Sequence, residues 1–410
     1  MSDLLFFAGG ECVSRHGTIV WRESEAQDNA STFTRAGAVE TYVGGSGRVV
    51  KADANIPRVS WNDGTPSLLI EKSFTNLVSS DNFDSGWSDE GGAPTVAATT
   101  DPAGGSTAYS ITDSDGSAAR GKKLTCSFTD DGTKGIVFVV RDRTAPGSGG
   151  QQIGVKEGST WRMLLTITWS NGVPSVTATN GTYLGQRYVG NGYYAIYGAA
   201  PSVDASETNT IQLFPAATAS QTGAFDVYRV NAYNAVVPPY SIFDTGVTSE
   251  TETFYADFVA PPQAMTVYAK FQDAGTLASS TQGIVHIGGS GATTGARFQI
   301  LSPSASAYGV LHGNGVDASI TANITSSAVW ANVVELRGVL NADGSILIGQ
   351  SLDSGTETTN STATIRSLAS AWNDSRIYIG SRGAATQGVG VYQAVKVARG
   401  VKTMAEMRAL

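Results

Sequence analysis

Three features of this sequence predict an all-β chain built of antiparallel sandwiches. Apolar residues recur at every second position in many short runs. Clusters of Gly, Asn and Asp separate those runs at short intervals. Helix-favouring residues are scarce: 15% of the chain is charged, and Gly alone supplies 48 of 410 residues. The hydrophobic share of 41% is enough to form cores, so composition does not place the chain among disordered proteins. At ~100–200 residues per domain, the length suits two or three units.

Along the chain, Leu4 to Phe7 read as a first strand. The run carries Asp3 and lacks the basic flank of a secretory leader, so synthesis in the cytoplasm without export is expected. No run reaches the ~18 apolar residues of a membrane span, and no membrane insertion is expected. The densest aliphatic cluster is P-S-L-L-I-E-K-S-F-T-N-L at 66–77. Leu68 and Ile70 point one way and Leu69 the other, as in a strand buried on both faces. It is expected to seal an N-terminal anchor section against the next unit, with Phe74 and Leu77 covering that unit's edge strand.

Further on, Met163, Leu165, Ile167 and Trp169 share one strand face, as do Met265, Val267, Ala269 and Phe271. The same alternation marks G-I-V-F-V-V, T-I-Q-L-F, F-D-V-Y-R-V, R-F-Q-I-L, V-V-E-L-R-G-V-L, S-I-L-I-G and V-Y-Q-A-V-K-V. N-A-D-G at 341–344 reads as a hairpin turn, with Asp-Gly supplying positive φ. Thr403 and Glu406 form a capping box that predicts a short C-terminal helix, and 367–374 is expected to add a helical turn or two. The Pro-Pro of V-V-P-P-Y-S-I-F-D-T-G marks a linker. The predicted division is 1–77, 78–245 and 246–410, the last two being jelly-roll or lectin-like β-sandwiches.

Charge and chemistry narrow the function classes. With a net charge of −8 and no basic cluster beyond Arg120, Lys122 and Lys123, which read as a solvated turn, nucleic acid is excluded as a partner. Cys12 and Cys126 form neither a disulfide framework nor a metal spacing; one bridge or two free thiols are both open. His16, His286 and His312 lack the defined partners of a triad or metal centre, and His286 and His312 read as structural. Glu335 beside Arg337 reads as a surface cross-strand pair, and no second carboxylate stands where glycosidase chemistry needs one. No enzyme activity is expected. D-S-D-G (113–116) and T-D-D-G-T (129–133) offer oxygens but read as turns; no metal or cofactor is expected. Sugar contact needs exposed aromatic rings with polar neighbours. The candidates are Trp87, Trp161, Tyr193, Tyr194 and Trp330, for each of which core packing is the competing reading. Trp169 is assigned to the core. The polar tips of G-N-G-Y-Y place Tyr193 and Tyr194 first.

F-T-R-A-G-A-V-E-T-Y-V-G-G-S-G-R-V-V-K-A-D-A-N-I-P-R followed by P-S-L-L-I-E-K-S-F-T-N-L resembles a preamble of tailed-bacteriophage and prophage virion proteins, often tail fibres or minor tail proteins. N-F-D-S-G-W-S, D-P-A-G-G-S-T-A-Y-S-I and G-N-G-Y-Y-A-I-Y-G resemble the carbohydrate-binding-module-like sandwich that follows it. Where that family carries Gly-Trp-Tyr-Arg, this chain has Tyr193, Tyr194 and Ala195. M-T-V-Y-A-K-F, R-I-Y-I-G-S-R and the C-terminal run resemble a concanavalin-A/laminin-G-like sandwich. The resemblance implies a virion structural protein, tail-associated as a fibre or baseplate component, adhering to a host-surface polysaccharide. The alternative it leaves is a capsid decoration or baseplate scaffold binding only other virion proteins. It also implies self-association, by analogy as a homotrimer. Residues 1–29 lie outside the resemblance and are expected to dock to the particle.

Overall fold

A computed structural model describes residues 5–8, 11–14, 31–35, 39–43, 48–52, 58–60, 67–71, 74–146, 149–235, 253–257, 262–273, 282–288, 295–304, 306–326, 332–372, 376–380 and 390–409. Among them the chain is almost wholly β, and every strand pairing is antiparallel. Two units emerge. One joins Met1–Ala38 and Ala52–Ser73 to Glu250–Leu410; the other joins Val39–Lys51 to Phe74–Ser249.

The first section is therefore not a unit by itself. Leu5–Ala8 and Ser67–Ile70 share one edge of the strand Gly390–Arg399, the former opposite Ala394 to Val397 and the latter opposite Gly390 to Tyr392. They satisfy backbone groups that an open edge would leave unpaired. Leu68 and Ile70 lie in the first unit's own core with Val267, Phe271, Ile379 and Tyr392, and Leu69 is buried too. Burial on both faces is thus as expected, but the strand completes this sandwich rather than sealing a separate section. Burying two such side chains stabilises the fold by roughly 1.5–3 kcal/mol each. Phe74 belongs to the second unit, edge-on to Tyr233 at 5.7 Å. The Leu77 N–H donates to the Ala232 carbonyl at 2.9 Å. Gly223–Tyr233 is an inner strand, and Leu77 covers the part of it that Ala108–Asp113 does not reach.

In the first unit, Gly390–Arg399, Met265–Asp273, Val333–Leu340 and Ile346–Leu352 lie side by side in one sheet. The facing sheet runs Ile320–Thr325, Ala307–Asn314, Ala296–Ser304, Gln282–Ile287, Arg376–Ile379, Thr253–Asp257 and Ser31–Thr34. The predicted 341–344 hairpin is present, but as a longer connection: the Asn341 N–H donates to the Ser345 carbonyl at 2.9 Å, and of the Asp-Gly pair Gly344 alone has positive φ, at 83°. The helix Met404–Ala409 follows Thr403 as expected. Thr403 Oγ1 accepts from the Glu406 N–H at 3.2 Å, and a Glu406 carboxylate oxygen accepts from the Thr403 N–H at 2.8 Å. Met404 and Met407 pack on Tyr268, Ala394 and Ala398. The helical turn expected at 367–374 is absent over the described residues to 372. Leu368 and Trp372 instead pack against the core, which outweighs the small gain from one short helical turn.

The second unit is a two-sheet sandwich. One sheet runs Thr182–Gly190, Tyr193–Val203, Gly132–Thr144, Gly223–Tyr233, Ala108–Asp113 and Thr95–Thr99; the other runs Val173–Asn180, Thr160–Ser170, Gln151–Glu157, Asn209–Phe214, Gly121–Thr125 and Ser88–Glu90. Ile136, Phe138, Met163, Leu165, Ile196 and Leu213 fill the space between them. Cys126 is buried and free, and burial pushes its thiol up to about 12; the Cys12 side chain lies outside the described residues.

Candidate functional site

Two Asn-Gly tips close neighbouring hairpins at one end of the second unit. Asn171 and Gly172 have φ of 52° and 76°, and Asn191 and Gly192 have 49° and 79°. Left-handed backbone at both central positions suits a tight hairpin, and Asn-Gly tolerates it best. The first tip turns Thr160–Ser170 into Val173–Asn180; the second turns Thr182–Gly190 into Tyr193–Val203.

The strand period sends successive residues to opposite faces, and this separates Tyr194 from Tyr193. Tyr194 stands opposite Val140, a core residue, so it faces the space between the sheets. There it meets Trp169 of the other sheet edge-on, with ring centroids 6.2 Å apart. Tyr188, its cross-strand partner, packs against it at 5.4 Å and 68°. Trp169 and Tyr194 are half-buried, whereas Tyr188 is 41% exposed. The Trp169 indole N–H donates to Gln151 Oε1 at 2.7 Å, and Gln151 Nε2 to the Ala224 carbonyl at 2.9 Å, which fixes the ring. The Gly192 N–H donates to the Tyr188 hydroxyl at 3.3 Å and ties that ring to the tip. Burial, then the neighbouring Tyr188, pushes the Tyr194 hydroxyl above its ordinary pKa.

Tyr193 points to the opposite face. It is fully buried, its hydroxyl donates to the Thr100 carbonyl at 2.7 Å, and the Arg141 guanidinium lies 4.6 Å from its ring centre. Burial pushes its pKa well up, helped by the Asp226 charge. Arg141 donates through Nε and Nη2 to Asp226 Oδ2 at 3.0 and 2.5 Å, and through Nη1 to the Asn191 carbonyl at 3.1 Å. Asn191 Nδ2 donates to the Asp101 carbonyl at 3.0 Å. Arg143 reaches Asp226 Oδ1 at 3.3 Å and Thr99 Oγ1 at 3.5 Å. Ser110 stands directly opposite Asp226 in the sheet.

The other sequence candidates fall elsewhere. Trp87 is a core residue, donating to the Ser80 carbonyl at 2.8 Å and packed on Phe83 at 4.9 Å, so its ring offers no platform. Trp161 is half-buried near the start of the strand that ends beside Trp169, roughly 27 Å away at ~3.4 Å per residue; it cannot join the same contact. Trp330 and His16 lie outside the described residues. Trp169, assigned to the core from sequence, does pack against it but is only half-buried, because its strand ends at the sandwich rim. His286 and His312 are buried, the latter with Nδ1 3.4 Å from the Arg297 carbonyl.

Glu335 is not a surface residue. It is buried, accepts from the Tyr268 hydroxyl at 2.6 Å and pairs with Arg408, while Arg337 pairs with Glu357 at 2.8 Å. Arg408 of the C-terminal helix takes Glu335, and Glu357, beside the strand Thr358–Ser361, takes Arg337. Arg120 pairs with Asp115, and Lys122 and Lys123 lie on a strand, not a turn, paired at 2.7 and 2.6 Å with Asp89 and Glu90. The Asp-Gly turns use their carboxylates internally: Asp113 accepts from the Asp115 and Arg120 N–H groups at 2.9 and 2.8 Å, and Asp131 from the Ala205 N–H at 2.9 Å. Among the described residues, no three acidic, His or Cys side chains cluster as metal ligands would.

Sequence reading missed Tyr188. The plain register of an Asn191-Gly192 hairpin places Val189 opposite Tyr194. A bulge between Tyr188 and Gly190 shifts it, and a bulge leaves no mark in the apolar pattern.

No family model matches the chain, and no curated protein matches it. Among solved structures it is similar to the CBM40 domain of a Ruminococcus gnavus sialidase bound to alpha2,3 sialyllactose, at 11% identity over 36% of this chain and 82% of that one, with a TM-score of 0.30. It is also similar to domains LG4-5 of the mouse laminin alpha1 chain, at 11% identity over 75% and 94% of the two chains and a TM-score of 0.27. A tail fiber protein from a phage of E. coli is similar at 11% identity over 81% and 42%, with a TM-score of 0.22. At these scores none of the three assigns a function to this chain.

Proposed function

We propose that this chain is an adhesive virion component whose second unit binds a cell-surface glycan at the paired Asn-Gly tips. The virion part rests on the sequence resemblance of residues 33–77 to tailed-phage proteins. The glycan part is carried by one observation: the Tyr188 ring is open to solvent and rigidly backed by Tyr194 and Trp169. A sugar presents an apolar face of C–H groups and a rim of hydroxyls. A fixed aromatic ring takes the first at little entropic cost, because it is already ordered. The exposed Asn171 and Asn191 at the adjoining tips suit the second. Such a contact is weak by itself, and several copies on one particle turn it into firm attachment through effective concentration. The reading is of binding without turnover.

The test is a host-polysaccharide array probed with the full chain and with Tyr188→Ala. Binding is expected for the parent and to fall about tenfold or more in the variant, since truncating an aromatic hot spot costs about 2 kcal/mol or more. A silent array removes the adhesive reading and leaves a scaffold that contacts other virion proteins. Binding that is unchanged in Tyr188→Ala moves the site elsewhere.

A further inference from the structure

Two guanidinium groups converge on one buried carboxylate, and they are not equally engaged. Arg141 holds Asp226 through two donors and the Asn191 carbonyl through a third. Arg143 reaches Asp226 only through Nη1, at 3.3 Å. That is long for a charge-assisted bond, which runs at ~2.7–2.9 Å. Its other contact, to Thr99 Oγ1, is 3.5 Å, and its side chain is 51% exposed. The geometry leaves Nε and Nη2 of Arg143 available to an incoming acceptor. Beneath it, Ser110 Oγ is buried with no hydrogen-bond partner. Thr95 and Ala97 on the outermost strand are exposed, so the approach is open.

The acidic groups nearby do not use up this charge. Asp226 is already neutralised by Arg141. Asp101 is turned into its own loop, where it accepts from the N–H groups of Ala103, Gly105 and Thr107 at 2.9, 2.8 and 3.3 Å and from the Thr107 hydroxyl at 2.8 Å. Asp142 Oδ1 has no hydrogen-bond partner, and burial, with the Asp226 charge beside it, raises the Asp142 pKa. The chain as a whole carries −8, a field that repels anions at long range. An anionic ligand would need a local cation to overcome it.

We infer that the glycan taken at this end is acidic, and that Arg143 receives its carboxylate over the patch formed with Arg141, Thr99 and Ser110. A guanidinium presents parallel donors that match both carboxylate oxygens, which an ammonium cannot. The Asn191-Gly192 tip, tied to Tyr188 on one side and to Arg141 on the other, joins this patch to the aromatic platform. The inference rests on the glycan reading of Tyr188.

The experiment measures affinity of the full chain for alginate, polygalacturonate and hyaluronan oligosaccharides, each beside its carboxyl-reduced form. The expected result is a preference of about tenfold or more for at least one acidic form, the scale of a hydrogen bond to a charged group. Arg143→Gln, with an unchanged circular-dichroism spectrum, should bring the acidic and reduced forms to equal affinity, and Arg143→Lys should restore only part of the gap. Equal binding of both forms by the parent, or a preference that survives in Arg143→Gln, overturns the inference. If both forms bind equally and Tyr188→Ala abolishes both, the glycan reading stands and the acidic one falls. If neither form of any pair binds, the acidic inference falls, and the host-polysaccharide array alone decides the glycan reading.

Discussion

His312 shows how one buried side chain sets a condition on the fold. It is buried in the first unit, and burial holds its pKa below 6.5, against an opposing push from carbonyls that include Arg297's. Unfolded, the same imidazole takes a proton near pH 6.5. The unfolded state therefore binds more protons below that pH, so stability present above 6.5 is lost as the pH falls. The slope contributed by this residue stays below the about 1.4 kcal/mol per pH unit that a full proton would give. Urea unfolding at pH 7.5, 6.5 and 5.5 should show the decline, and His312→Asn should flatten it. An identical slope in the variant removes His312 as the cause. That the histidine in V-L-H-G-N-G lies near the end of a strand was legible, because the apolar alternation runs there into a glycine-rich turn. Arg141 and Asp226 were not legible as a pair. They lie far apart in sequence and meet only because their strands are neighbours in register.

At the scale of the element, the C-terminal helix is too short to stand alone, since nucleation costs more than so few hydrogen bonds return. Its ends are held instead. Thr403 and Glu406 cap the start, and the Lys396 ammonium donates to the Met407 and Arg408 carbonyls at 2.9 and 3.2 Å. Arg408 is anchored on buried Glu335. Thr403→Ala should cost about 1 kcal/mol and speed hydrogen exchange at the Met407 amide, which donates to the Thr403 carbonyl at 3.0 Å. An unaltered exchange rate would show that packing of Met404 and Met407 suffices. The capping box was readable because it is a local chemical device. Strand Tyr193–Val203 was harder, since its residues are buried on both faces over most of its length. The apolar pattern then no longer says which side is core, and Tyr193 and Tyr194 could be ranked together though they face opposite ways.

At the scale of the molecule, the sandwich architecture followed from alternation, but the assignment of the N-terminal strands did not. Nothing in S-L-L-I names Gly390–Arg399 as its partner. A piece spanning 246–410 lacks Leu68 and Ile70 and leaves the Gly390–Arg399 edge bare. Losing large core side chains costs ~2–5 kcal/mol each. Such a piece should give poorly dispersed amide resonances or aggregate, whereas the full chain does not; a well-dispersed spectrum from 246–410 alone would show that the early strands are dispensable. The pairing also has a consequence during synthesis. Ser67–Ile70 leaves the ribosome roughly tens of seconds before its partner is made, while every residue of the second unit precedes that partner, so that unit can close first. The aliphatic strand must be sheltered in that interval. A chain cut short by a premature stop never acquires the lock for that key, so defective copies announce themselves to chaperones and proteases by one sticky ribbon.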